Sequence, residues 1–188
     1  MKTASVLLGL LGFSTLAGCS WVQPRTADLA DIETFEDGSR MVGSRSMGLA
    51  VRAPAETLSE SGAHDGVLEI AWGQNVRHYV LVNSRTENVP ASLEDKKADL
   101  DARFEGFRFV NGESFEGGYA LTYNYRNANW EKKLGYYSFR TVEGKTYECF
   151  LDKGSHSMKG VEQAQALCSS LRKYDAPAAG GETKTAAR

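Results

Sequence analysis

The sequence has little of what marks a membrane-spanning or nucleic-acid-binding chain. After residue 18, no apolar run approaches the roughly 20 residues that a spanning helix needs. Its 22 Lys and Arg are outnumbered by 24 Asp and Glu, whereas nucleic-acid-binding domains usually carry a clear basic excess. We therefore expect no transmembrane helix in the body of the chain and no nucleic acid among its partners.

Motifs for catalysis and metal binding are also missing. The three histidines lack the H-x-H or H-x-x-x-H spacing of a zinc site, and neither a C-x-x-C nor a G-x-S-x-G motif occurs. Gly144-Lys145-Thr146 ends like a P-loop, but Phe139 stands where the first glycine belongs. The sequence therefore predicts no catalytic residue, no metal and no cofactor, and we expect that the protein is not an enzyme.

The first 18 residues have the layout of a secretory signal peptide. A positive start, Met1-Lys2-Thr3, precedes the apolar stretch 4–17, and the small residue Gly18 ends it. The alternative is a buried N-terminal core helix, which is disfavoured because glycines interrupt the run and no polar residues give it a surface face.

The residues Leu16-Ala17-Gly18-Cys19 resemble the lipobox of bacterial lipoproteins. The resemblance implies cleavage between Gly18 and Cys19 and a diacylglyceryl group on the Cys19 thiol. With further acylation, for example by palmitate, two or three chains would anchor the protein stably to a membrane, facing the periplasm. Because Ser20 is not the aspartate linked to inner-membrane retention, the resemblance favours the outer membrane over the inner membrane.

The remaining cysteines support an exported protein. If Cys19 carries lipid, Cys149 and Cys168 are left as a pair in an oxidising compartment. A bridge between them would close a loop worth about 3 kcal/mol in the chain-entropy model. We predict this disulfide, with two unpaired buried thiols as the alternative.

Composition divides the mature chain into three parts. Residues 19–40 are rich in Asp and Glu and predict a lipidated N-terminus followed by a solvated tether. Residues 41–174 predict a single folded domain. Residues 175–188 are small and polar with Gly and Pro, and they predict a disordered tail.

Within the domain, alternating apolar residues between Gly- and Asn-rich turns predict strands at 49–53, 66–72, 77–85, 107–110, 118–126, 132–140 and 145–151. Ser92-x-x-Asp95 resembles a capping box and predicts a helix within 89–106. A second amphipathic helix is predicted over 160–174, with Arg172 and Lys173 complementing its C-terminal dipole. We expect this last helix to cover the aromatic face of strand 118–126.

These elements predict an α+β fold. A mid-chain helix and a C-terminal helix pack on an antiparallel sheet, and one disulfide joins helix to sheet. The element order, with the first strand Ala50-Val51-Arg52-Ala53-Pro54, resembles the PsbP/Mog1-like domain of some bacterial lipoproteins. That resemblance implies a binding or assembly role.

A hairpin at 122–133 carries the candidate partner contacts. Tyr125, Arg126, Trp130 and Lys132 surround its tip, and Trp, Tyr and Arg dominate interface hot spots. The alternative is an aromatic core with a basic rim.

Three functions fit these observations to different degrees. We favour a non-enzymatic interaction or assembly factor of the cell envelope that binds a protein partner in the periplasm or envelope. An immunity lipoprotein that neutralises a periplasmic toxin, for example a secretion-system effector, suits the same features. An enzyme acting on the cell wall or on lipid is the third hypothesis.

Overall fold

The computed structural model describes residues 28–58 and 61–175. The predicted signal peptide, the Gly18–Cys19 cleavage and lipidation site, the first part of the tether and nearly all of the predicted tail lie outside the described residues. Within them, neither helix has the length and apolar content needed to span a membrane.

The described chain is an α+β fold with two antiparallel sheets and two helices. A small sheet has the strand order β1-β2-β3-β11, and a large sheet has the order β4-β5-β6-β10-β9-β8-β7. In chain order the elements are β1 Leu29–Thr34, β2 Arg40–Ser44, β3 Leu49–Ala53, β4 Gly62–His64, β5 Val67–Trp72, β6 His78–Asn83, α1 Leu93–Arg103, β7 Arg108–Phe115, β8 Gly118–Arg126, β9 Lys132–Val142, β10 Lys145–Asp152, α2 Met158–Ser169 and β11 Arg172–Lys173.

One face of the large sheet is covered by α2 and the small sheet. Alternate residues of the central strands point into this core, as period-2 patterning requires, and they meet the buried stripe of α2. Across the interface the Trp72 indole donates a hydrogen bond to the side-chain carbonyl of Gln163, 3.0 Å away. The predicted arrangement of a C-terminal helix on an antiparallel sheet is therefore confirmed.

The opposite face of the large sheet is covered by α1. The aromatic side chains of β8 pack with Leu100 and the partly buried Phe104, in a cluster separate from the α2 core. The expectation that the last helix covers this face is therefore wrong. The chain crosses that face between β6 and the edge strand β7, so α1 is the element that lies over it.

Two local predictions also need correction. Residues 29–34 belong to a strand of the small sheet, paired with β2, where the sequence predicted a solvated tether up to residue 40. The second helix ends at Ser169, and Arg172 and Lys173 pair with β3 instead of capping a helix dipole. Both strands are short, and their partners are what make them strands.

The predicted disulfide is confirmed. Cys149 of β10 and Cys168 of α2 are bonded, with their Cα atoms 5.6 Å apart, and both residues are fully buried. The bond joins α2 to the centre of the large sheet, inside the main core.

Candidate partner-binding hairpin

A single asparagine organises the loop between β8 and β9. The side-chain carbonyl of Asn127 accepts from the backbone N–H groups of Asn129 and Glu131, each at 3.0 Å. Its amide donates to the Glu131 carboxylate at 2.8 Å. The backbone N–H of Trp130 donates to the Asn127 carbonyl at 2.9 Å. These four bonds all lie within residues 127–131, so the loop's own residues define its geometry.

This loop presents an indole to solvent. Trp130 is 62% exposed and adopts a left-handed backbone with φ of 63°. Such a conformation is uncommon for a large side chain. The guanidinium of Arg126 donates to the Trp130 carbonyl at 3.3 Å and lies 5.9 Å from the indole centroid. We call the side chains of Arg126, Trp130 and Lys132 the hairpin surface.

Tyr125, the fourth candidate contact, lies beneath this surface. It is 8% exposed, and its ring centroid is 4.5 Å from that of Phe104, which follows α1. Burial raises the pKa of the Tyr125 hydroxyl. The structure therefore places Tyr125 in the aromatic cluster under α1 and leaves the other three candidates at the surface.

The two cations of the hairpin surface face each other without a counter-ion. Arg126 and Lys132 are direct partners in the β8–β9 register. Neither forms an ion pair with any described residue, whereas Lys133 lies 3.3 Å from Glu131 and also contacts Nε2 of His156. The hydrogen bond from Asn127 is the main cause that lowers the pKa of Glu131.

A groove of about 430 Å³ lies between the hairpin surface and the end of α1. It is lined by Arg103, Phe104, Glu105, Tyr125, Arg126, Asn127, Ala128 and Trp130. The backbone N–H of Arg126 donates to the Glu105 carbonyl at 2.8 Å and so ties the two walls together. The α1 wall of the groove was not predicted from the sequence, although an aromatic residue at the end of a charged helix was a usable indication.

The groove offers side chains for binding, and its chemistry suits recognition. Arg126 supplies positive charge to the groove and Trp130 supplies apolar area. Lys132 flanks the groove as the register partner of Arg126, and the Asn127 side chain is engaged in hydrogen bonds within the loop. Among residues 28–58 and 61–175, no three His, Cys, Asp or Glu side chains come close enough together to hold a metal ion.

Comparisons with known proteins add little to this picture. No protein-family model matches the chain, and no curated protein matches it. Among solved structures, the chain is similar to cyanobacterial PsbP (CyanoP) from Synechocystis sp. PCC 6803, determined in solution. The two are 19% identical with a TM-score of 0.34, and the match covers 85% of this chain and 99% of that one. A likeness of this size carries no argument about function.

Proposed function

We propose that this chain is a lipid-anchored protein of the bacterial envelope that recruits a protein partner through the hairpin surface, without enzymatic activity of its own. In this proposal Cys19 holds the chain on the outer membrane, and the domain faces the periplasm. The observation that carries the recognition role is Trp130, a large apolar side chain that is exposed on a loop whose geometry Asn127 fixes.

An exposed indole on a rigid loop is favourable for binding. The loop loses little conformational freedom when a partner docks, so less of the interaction energy is spent on ordering. Trp and Arg are also the residues that most often carry the binding energy of an interface. Trp130 and Arg126 lie side by side here, next to a groove that a partner side chain can enter.

The anchor is tested on the native protein. We expect intact-mass analysis to show a chain that begins at Cys19 and carries acyl groups, and Cys19→Ser to move the protein from the membrane fraction to the soluble fraction. Ser20→Ala is the matched control and should stay in the membrane fraction. An unmodified Cys19 with residues 1–18 still attached would remove the anchor from the proposal.

The recognition role is tested in intact cells. A photo-crosslinking amino acid at Ala128, an exposed groove residue, should give a discrete adduct with one protein, and Trp130→Ser should reduce that adduct at least tenfold. The loss is expected because the indole supplies most of the apolar area of the hairpin surface. The urea midpoint of the variant should stay near that of the wild type, since Trp130 lies outside both cores.

Val76→Ser is the matched control for this experiment. Val76 is 58% exposed on another loop, between β5 and β6, and its replacement should leave the adduct unchanged. Equal adduct yields from Trp130→Ser and the wild type would exclude the hairpin surface from partner binding.

A further inference from the structure

We propose that the groove beside the hairpin surface receives an acidic segment of a protein partner, which approaches from the side of the domain opposite to the membrane anchor. This inference rests on the proposed function and specifies its partner. Two observations carry it: the unpaired cations of the hairpin surface, and the end of the sheet at which they lie.

The two cations of the hairpin surface repel each other, and a bound anion would remove this repulsion. Like charges directly opposite each other on paired strands are destabilising, and Arg126 and Lys132 occupy such a pair at the end of the β8–β9 ladder. The carboxylate of Glu131 is occupied by Asn127 and Lys133. The remaining acid on the rim is Glu105, so a carboxylate brought in by a partner would find two cations to pair with.

The described chain begins at the other end of the large sheet. Asp28 accepts hydrogen bonds from the turn after β2, through Ser44 and Ser46. That turn shares a cleft with Gly144 and Lys145, at the turn between β9 and β10. The hairpin surface lies at the opposite end of β9, which has 11 residues and therefore spans roughly 35 Å.

This placement favours a protein as the source of the acidic groups. The nine residue steps from Cys19 to Asp28 reach at most about 32 Å. The domain therefore cannot stand inverted, with the hairpin surface on the bilayer and the Asp28 end pointing away, because the tether would then have to span the roughly 35 Å length of β9. A protein in the periplasm is therefore favoured over the phosphates of the anchoring membrane as the source of the anion that neutralises these cations.

The experiment uses the lipidated full chain in cells, with the photo-crosslinker at Ala128. Arg126→Ser/Lys132→Ser should reduce the protein adduct at least tenfold, and raised salt should reduce the wild-type adduct in isolated envelopes. Lys145→Ser/Lys173→Ser is the matched control, since both lysines are exposed at the opposite end. The urea midpoint of the Arg126/Lys132 variant should stay near that of the wild type, because the relieved repulsion offsets the lost hydrogen bond from Arg126 to the Trp130 carbonyl.

The crosslinked segment, mapped by mass spectrometry, should carry net negative charge. An adduct that needs Trp130 and survives Arg126→Ser/Lys132→Ser would overturn the acidic partner and leave the proposed function standing. An adduct with phospholipid would overturn the orientation. Absence of any adduct from the wild type would overturn the proposed function and this inference together.

Discussion

Removal of the disulfide should lower the free energy of unfolding by about 3 kcal/mol, since the bond between Cys149 and Cys168 closes a loop of 19 residue steps. For a domain of about 150 residues or more, this corresponds to a fall in Tm of roughly 6–12 °C. The effect is large because the bond joins α2 to β10 inside the core, where both cysteines are fully buried. Urea unfolding of the Cys149→Ala/Cys168→Ala variant measures it.

Two comparisons separate the stabilisation by the crosslink from the stabilisation by side-chain packing. Wild-type protein that is unfolded, reduced and refolded with reductant keeps both thiols and lacks only the bond. Its difference from the oxidised protein measures the crosslink, and its difference from the double alanine variant measures the lost packing. Equal urea midpoints for oxidised and reduced wild type would show that the bond contributes nothing to stability.

Local sequence patterns predicted the strands and helices that carry their own periodicity. Ser92 illustrates why: its hydroxyl accepts from the backbone N–H of Asp95 at 3.1 Å, as the capping pattern predicted, and α1 begins at Leu93. The alternating side chains of β8 likewise predicted which of its residues share a face. In such elements the neighbours along the chain contain the information.

The errors fall where contact with another element decides the structure. β1 lies within the acid-rich stretch predicted as a tether and becomes a strand because β2, the next strand along the chain, pairs with it. β11 has two residues, held by β3 more than 100 positions earlier in the chain. Periodicity could show that one face of β8 must be covered, but it could not choose between α1 and α2, since both helices have an apolar side.

The candidate site was predicted in part for the same reason. Residue type alone singled out Trp130 and Arg126, and the structure places them in contact at the surface. Residue type could not separate Trp130 from Tyr125, because the burial of Tyr125 depends on Phe104, which lies 21 positions before it. The aromatic core of the alternative interpretation is present on one side of these strands, around Tyr125, and the binding role of the hairpin surface stays a prediction.

A buried lysine on the sheet-facing side of α1 was not anticipated and gives the second large expected effect. Lys96 is 4% exposed, with its ammonium 3.2 Å from the Asp99 carboxylate and 4.0 Å from the centroid of the Tyr137 ring. Lys96→Glu should lower the free energy of unfolding by about 3–5 kcal/mol, because it places a second carboxylate against Asp99 in a site with little access to water. Urea unfolding monitored by circular dichroism provides the measurement.

Lys96→Met is the matched control, and the contrast between the two variants identifies the cause. Methionine keeps an unbranched side chain against the Tyr137 ring, and Asp99 keeps its ion pair with Arg103, whose Nε is 2.7 Å away. Because the Asp99 side chain is 20% exposed and stays paired with Arg103, Lys96→Met leaves no uncompensated buried charge behind, so we expect a loss of at most about 1 kcal/mol. Equal losses from Lys96→Glu and Lys96→Met would show that packing, and not the carboxylate, sets the effect.

Since Phe104 and Arg103 end the same helix and line the groove, Lys96→Glu should also weaken the adduct at Ala128, whereas Lys96→Met should preserve it.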